Sequence, residues 1–329
     1  MQSSKGRPVI VVLGTTGNQG GGVVQALLKS GKWHVRAGTS NPDSNKAKKL
    51  LEGSKDSLEL VEVHPYQVET LQKAFAGAYG VFAITSERHP DRKLVHEDEM
   101  THEIEAGRNI VQAAVECNVK HFVFSSLPDM TKVTSGRYPK LYHMSNKHAV
   151  EVVAREQLQQ RVTCLVPGFF YSNLQWAQYS RRLEDGTIRF CYPLPSDQNA
   201  QWTDPAYDMG VYAAKVFELG PERTGGETYY PMSSSITPQQ MAETFTRITG
   251  QRAYHDPTSA EEFGDLTAPL VGPAFKDDAM QMMQWAAETP KDTVAYGSKQ
   301  ISADALGLAA SSFEEWLKRT GWTGPEHGQ

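Results

Sequence analysis

The feature that most constrains this chain is a short run near its start, Val9-Ile-Val-Val-Leu13 followed at once by Gly14-Thr-Thr-Gly17-Asn-Gln-Gly20. An unbroken apolar run rich in β-branched residues reads as a strand buried on both faces. The glycines then give G-x-x-G-x-x-G and open a helix whose Val23, Val24, Leu27 and Leu28 share one face. Gly14 permits the sharp exit from the strand, Gly17 lets backbone approach a pyrophosphate, and Gly20 lets the helix pack against the sheet. The helix start offers unpaired N–H groups and a positive dipole end to an anion, with Thr16, Asn18 and Gln19 as side-chain donors. Strand, glycine turn, helix and a second strand over residues 34–37, in that order, point to a dinucleotide site. No G-K-[ST] follows the turn and no G-x-S-x-G elbow occurs, which sets aside a Walker loop and disfavours an α/β-hydrolase.

The same alternation continues. Short apolar runs at 58–63, 81–84, 121–124 and 162–166 read as strands, and helical patterns at 46–51, 68–75, 101–116 and 145–156 separate them. Uniformly apolar strands, each followed by a helix, imply a parallel sheet covered on both faces and joined by right-handed crossovers. The expected fold is α/β, a Rossmann-type doubly wound sheet. After Pro167 the rhythm changes: ten aromatic residues fall between 169 and 212, and helices are expected over 208–219, 237–249, 259–264, 277–288 and 311–319. Thr237-Pro238, and Ser311 with Glu314 three residues on, read as helix starts. The expected organisation is a nucleotide-binding domain over residues 1–165, with 203–236 returning to it. A smaller, mostly helical lobe for substrate or partner is expected from 166–202 and 237–329.

Composition excludes several function classes. Of 329 residues, 39% are hydrophobic and 22% charged, which excludes disordered, collagen-like and disulfide-scaffold chains. The formal charge of −5 argues against direct nucleic-acid binding. The only basic run, Lys46, Lys48, Lys49 and Lys55, is broken by Glu52 and Asp56 and reads as a solvated helix face. Three widely spaced cysteines, Cys117, Cys164 and Cys191, read as reduced buried thiols. The first apolar run is too short for a secretory signal, and no stretch approaches the roughly 18 apolar residues of a membrane span. The expectation is a soluble chain of the cytoplasm or nucleus, with no membrane partner.

The end of the second strand chooses between dinucleotides. An acid there would bind a ribose 2′-hydroxyl, and an Arg would pair with a 2′-phosphate. Thr39-Ser40-Asn41 is neither, and Arg36, Lys46 and Lys48 lie close in sequence. NADP(H) is favoured, with NAD(H) as the alternative.

Six motifs, in order, resemble those of the NmrA-like family: Gly14-Thr-Thr-Gly-Asn-Gln-Gly-Gly21, Gly77-Ala-Tyr79, Phe124-Ser-Ser-Leu-Pro-Asp129, His143-Met-Ser-Asn-Lys147, Val166-Pro-Gly-Phe-Phe-Tyr-Ser-Asn-Leu174 and Asp204-Pro-Ala-Tyr-Asp-Met-Gly210. These atypical relatives of the short-chain dehydrogenase/reductases include fungal nitrogen-repression regulators and NADPH-sensing proteins. The resemblance implies NADP(H) over the glycine turn, with the loops after Ile84, Phe124 and Val166 walling the nicotinamide half. It sets Thr85, Ser86, Ser125, Pro167 and Phe169 against the cofactor, Ser40 and Asn41 at the ribose, and Gln67 at the adenine. The family often carries Arg where Ser40 stands, and Asp near His64-Pro-Tyr66-Gln67.

In a short-chain dehydrogenase, Tyr and Lys sit four residues apart on one helix face, the Lys anchoring the nicotinamide ribose and lowering the Tyr pKa. Here that spacing joins His143 to Lys147, while Tyr142 is five residues from Lys147, about 140° around a helix. Lys147 is the expected ribose anchor and a candidate acid. His143 can replace the phenol as proton donor, with Tyr142 displaced, and Ser126 and Ser125 are expected polar contacts. His96, Asp98, His102 and Glu103 read as helix-start residues, with no metal expected. Phe170, Tyr171, Trp176, Tyr179 and Trp202 suit a pocket for a flat or apolar substrate.

Two functions follow. One is an NAD(P)H-dependent reductase acting on a bulky apolar or aromatic molecule, such as a secondary metabolite, at a carbonyl, imine or conjugated double bond. The other is a non-catalytic NADP(H) sensor read by a protein partner such as a transcription factor.

Overall fold

The structure is a computed structural model and describes residues 6–52, 54, 56–290 and 303–326. Lys55 and part of the expected C-terminal lobe lie outside them. Six strands run β1 (Val9–Val12), β2 (His34–Thr39), β3 (Leu58–Glu62), β4 (Gly80–Ala83), β5 (His121–Ser125) and β6 (Val162–Leu165), and Thr228–Tyr229 makes a seventh. All pair in parallel in the order Thr228–Tyr229, β6, β5, β4, β1, β2, β3. This is the doubly wound α/β sheet that the alternation implies, and the strand order reverses between β1 and β4.

Because successive side chains of a strand point to opposite faces, each strand feeds two apolar layers. Val11, Val81, Phe122 and Phe124 pack under helices Val68–Phe75, His102–Glu116 and Tyr142–Leu158. Ile10, Val12, Phe82 and Val123 face helices Asn18–Ser30 and Asp208–Leu219. Burying each such side chain contributes about 1.5–3 kcal/mol, so a strand polar on either face would not hold here.

Glycine sets two close helix crossings. A Cβ on Gly22 would lie 1.9 Å from Ala206 O, and one on Gly210 2.4 Å from Gly22 O, so helix Asn18–Ser30 lies directly on Asp208–Leu219. A Cβ on Gly107 would lie 2.1 Å from Val150 Cγ2, which brings helix His102–Glu116 hard against Tyr142–Leu158. The second crossing is what lets side chains near Glu103 and Lys147 meet.

Residues 203–236 supply helix Asp208–Leu219 and the seventh strand. The rest of the C-terminal half builds a separate apolar cluster around Tyr171, Trp202, Phe245, Phe313 and Trp316. It contains more strand than periodicity shows. Phe169–Phe170 pairs with Trp202–Thr203, and Ser180–Arg182, Ile188–Phe190 and Ala253–His255 make a three-stranded sheet. Strands of two or three residues are too short to register as alternation.

Helix bounds also shift. The 145–156 helix runs from Tyr142 to Leu158, and the 259–264 helix from Ala260 to Val271. The last helix is capped by Ser312 with Glu315, not by Ser311 with Glu314, because Ser311 spends its N–H and hydroxyl on Asp208 Oδ1 at 3.0 and 2.7 Å. Helix Ala260–Val271 ends at Gly272, whose φ of +150° and absent side chain admit the backbone of Leu94. Leu94 donates to Val271 O and accepts from Ala274 N–H, which fastens the loop after β4 to this lobe. Cys117, Cys164 and Cys191 are free thiols. Among the described residues, no helix is long and apolar enough to cross a membrane.

Candidate functional site

A cavity of about 790 Å³ crosses the carboxyl ends of β1, β2, β4, β5 and β6, at the reversal of strand order where open α/β sheets bind ligands. One end is the glycine turn. Gly14 has φ +65°, and a Cβ on Gly20 would sit 2.4 Å from Gly14 O, so neither position accepts a side chain without moving backbone. Gly17 is the N-cap of helix Asn18–Ser30, and the first-turn N–H groups have no partner within a helix. Thr15 Oγ1 pins the turn to Gly38 O at 3.0 Å, while Thr16, Gly17 and Asn18 stay exposed. Gln19 is buried and accepts from Ser125 Oγ at 2.7 Å, joining the ends of β1 and β5.

From the turn the cavity extends to Ser40, His64, Tyr66 and Gln67 on one side and to Thr85, Ser86 and Ser125 on the other. Asn41 is not on its wall; its side chain accepts from Asp43 N–H at 3.1 Å and shapes the loop instead. The cations expected beside a 2′-phosphate are mostly spent elsewhere. Arg36 donates to Glu59 at 2.7 Å and to Ala74 O and Ala76 O, and Lys48 pairs with Asp43 at 3.0 Å. The cradle and the slot fit a dinucleotide's diphosphate and adenosine. Beside the end of β2 the slot offers the Ser40 hydroxyl and the His64 imidazole.

At the far end stand Lys147 and His143, one helical turn apart on Tyr142–Leu158, both on the cavity wall. Lys147 Nζ pairs with Glu103 Oε1, which also accepts from Thr85 Oγ1 at 2.6 Å. Glu103 is fully buried, and its Oε2 has no hydrogen-bond partner among the described residues. Burial alone would push the Lys147 pKa down, but Glu103 and Glu87 outweigh it and the net shift is up. Lys147 is therefore a fixed positive charge and a poor acid near neutral pH.

His143 is different. Its Nδ1 meets Asp278 Oδ1, and its backbone N–H donates to Asp278 Oδ2 at 2.8 Å. Burial lowers its pKa, the Asp278 carboxylate raises it, and the carboxylate wins. With Nδ1 held by Asp278, Nε2 is the nitrogen left to the cavity. Glu87, from the loop after β4, faces both cations, and their charge outweighs burial to hold its carboxyl below the usual range.

Several expected contacts fall elsewhere. The helix begins at Tyr142, so this ring is rotated away from the cavity and its hydroxyl donates to Glu97 at 3.0 Å. Ser126 is buried beneath the site, giving its hydroxyl to Glu151, which also holds Arg155 at 2.7 Å. His96 shares a capping box with Glu99, and His102 Nδ1 meets the Tyr66 hydroxyl at 2.5 Å.

The aromatic set divides. Pro167, Phe169, Phe170, Trp176 and Tyr179 line the cavity. Tyr171 and Trp202 do not: they stack at 5.7 Å and 7°, fully buried, and hold the lobe core. The missing wall, the roof of the aromatic chamber, comes from helices Ala260–Val271 and Lys276–Glu288, which contribute Phe263, Leu270, Met282 and Trp285, and from Phe275 in the turn Pro273–Phe275 between them. Residues 263, 267, 270 and 271 recur at helical spacing, a signal shared with any buried helix. Asp278 reads in sequence as an acid suited to a helix dipole, and its partner is 135 residues away.

Residues 7–317 match the model of the NmrA-like family. Over 318 residues the chain is 27% identical to the NmrA-like family domain-containing oxidoreductase hkm9 of Aspergillus hancockii, with 91% of each covered. Its fold is similar to that of NmrA, a negative transcriptional regulator solved in complex with NADP, at a TM-score of 0.76, 18% identity and 95% of each chain. It is also similar to the triphenylmethane reductase of Citrobacter sp. complexed with NADP(H), at a TM-score of 0.65 and 22% identity over 94% of this chain and 99% of that one.

Proposed function

The chain belongs to the NmrA-like family, and from that premise we propose that it is an NAD(P)H-dependent oxidoreductase. Its substrate is a bulky apolar or aromatic molecule, such as a secondary metabolite, reduced at a carbonyl, imine or conjugated double bond. One observation carries this reading: a single cavity joins the side-chain-free glycine cradle to an aromatic chamber, with Lys147 and His143 at the junction. The oxidoreductase naming of curated relatives and the NADP held by related folds support it. NADP(H) is favoured because no acid ends β2 to repel a phosphate, and NAD(H) is the alternative.

Residues 1–165 with 203–236 bind the nucleotide in this reading, and 166–202 with 237–329 enclose the substrate. The amides opening helix Asn18–Ser30 hold the diphosphate, Gln67 and Tyr66 border the adenine, and Lys147 holds the nicotinamide ribose. Bound in reduced form, the dinucleotide supplies a hydride. As the carbon of a substrate carbonyl accepts it, the C=O π pair moves to oxygen. That oxygen takes a proton from His143 Nε2, leaving a neutral imidazole that solvent reprotonates. Lys147, kept charged by Glu103, stabilises the developing negative charge without giving up its proton. Phe170, Trp176 and Tyr179, with the two roof helices, exclude water.

The test is a panel of bulky ketones, imines and enals with the purified protein, following NADPH absorbance. At least one is expected to be reduced, and Lys147→Ala is expected to lower turnover.

A second reading is a nucleotide sensor. It is favoured by the placement of Tyr142, which leaves no phenol at the position of the usual acid. If NADPH binds and the whole panel is inert, this reading replaces the first.

A further inference from the structure

We infer that Asp278 is a positioning residue for proton donation. From the roof lobe it grips both the backbone and the ring of His143, and so decides which nitrogen faces the cavity and keeps the ring ready to donate. The inference rests on the oxidoreductase reading above for its chemistry, but its geometry can be tested without any substrate.

Asp278 is fully buried on helix Lys276–Glu288, and His143 stands in the first turn of helix Tyr142–Leu158. That turn has no side-chain cap of its own, Leu141 being its N-cap, so Asp278 supplies the cap in trans by accepting the His143 N–H at 2.8 Å. A capping role needs one carboxylate oxygen. The other oxygen meets His143 Nδ1, and capping gives no reason for that second contact. It is the arrangement by which a buried carboxylate fixes an imidazole tautomer and supports its charged form.

The remaining groups around the ring divide in sign. Lys147, one turn along the same helix, opposes a charge on His143, and Glu87, from the loop after β4, favours it. Glu103 faces Lys147 and tempers its effect. Phe275 presents its ring edge-on at 5.7 Å between centroids and carries no charge. Asp278 is the carboxylate in direct contact, and burial of the ring by itself would leave it neutral. Because His143 belongs to a helix of the sheet domain and Asp278 to the roof, the donor is complete only when the roof is docked.

Histidine-selective ¹⁵N NMR on the full chain tests this. In the wild type, His143 is expected to carry its proton on Nδ1 and to titrate above the ordinary histidine value. In Asp278→Asn the titration is expected to fall. A wild-type His143 that is an Nε2–H tautomer titrating at or below the ordinary value overturns the proposal, whether or not the variant folds.

Where a substrate has been found, Asp278→Asn is expected to lose kcat by about 100-fold with little change in KM. The same substitution in a His143→Asn background is expected to lose nothing further. An equal loss in both backgrounds overturns the proposal, because Asp278 would then act through the fold and not through His143. A panel that yields no substrate defeats the oxidoreductase reading and leaves the NMR result to decide the Asp278–His143 relationship.

Discussion

Lys147 and Glu103 meet as a buried ion pair between two helices, and the Glu103 oxygen they share also accepts from Thr85 Oγ1 at 2.6 Å. Gly107, one turn beyond Glu103, and Val150, one turn beyond Lys147, make the contact that brings those helices together. Removing one member of a buried pair strands the other charge and costs about 3–5 kcal/mol, whereas removing both costs less. Lys147→Met is therefore expected to unfold at lower urea concentration than Lys147→Met with Glu103→Gln. A double variant no more stable than the single one would show that the pair is not coupled.

The glycine cradle predicts a binding defect. A methyl at Gly20 would sit 2.4 Å from Gly14 O and 2.6 Å from Leu13 O, both backbone atoms. Gly20→Ala must push the turn away from its place above the helix amides, and it is expected to weaken NADPH binding at least tenfold in calorimetry. Unchanged affinity would mean that the diphosphate does not rest there.

Cofactor preference should be easy to sharpen. Arg36 and Lys48 are engaged elsewhere, and Ser40 lies on the cavity wall at the end of β2. Ser40→Arg adds a forked donor for a 2′-phosphate, an interaction worth about 1.5–3 kcal/mol. The ratio of NADPH to NADH affinity is expected to rise by about tenfold or more, and a flat ratio would place the ribose away from β2.

Two tryptophans from the same aromatic run should behave oppositely. Trp202 is 1% exposed in the lobe core, and Trp202→Ala is expected to cost about 3–5 kcal/mol of stability. Trp176 is 39% exposed at the cavity wall, so Trp176→Ala is expected to raise KM with little change in melting temperature. Comparing melting curves with substrate saturation curves separates them.

Acid sensitivity has a named source in His121. It is fully buried on β5, with Nε2 3.0 Å from Thr163 Oγ1, and burial lowers its pKa from 6.5 to about 4. The unfolded chain takes up this proton below about pH 6.5, and the folded chain only below about pH 4. Its contribution is thus complete above pH 6.5 and lost as pH falls toward 4, an amount of about 3 kcal/mol. His121→Gln is expected to flatten the decline of melting temperature across that window.

The sheet was legible because its rule is local: uniformly apolar strands, each followed by a helix, imply a parallel sheet covered on both faces. The glycine turn was legible for the same reason, since Gly14 answers to its own positive φ and Gly20 to the nearby backbone of Leu13 and Gly14. The junction of the cavity was harder to read. Lys147 and His143 announce themselves by a four-residue spacing, but Glu103 and Asp278 become meaningful only through helices that cross far along the chain. Tyr171 and Trp202 could not be told from Phe170 and Trp176 by composition. All four are aromatic, and only packing decides which of them touches a guest and which holds the lobe together.

Leu94 is hydrogen-bonded on both sides of Gly272, at the break between the two roof helices. The loop after β4 and the joint between the roof helices are therefore fastened at one point. Parting the roof from that loop means breaking backbone hydrogen bonds on both sides of Gly272, a firmer fastening than a side-chain contact alone would give.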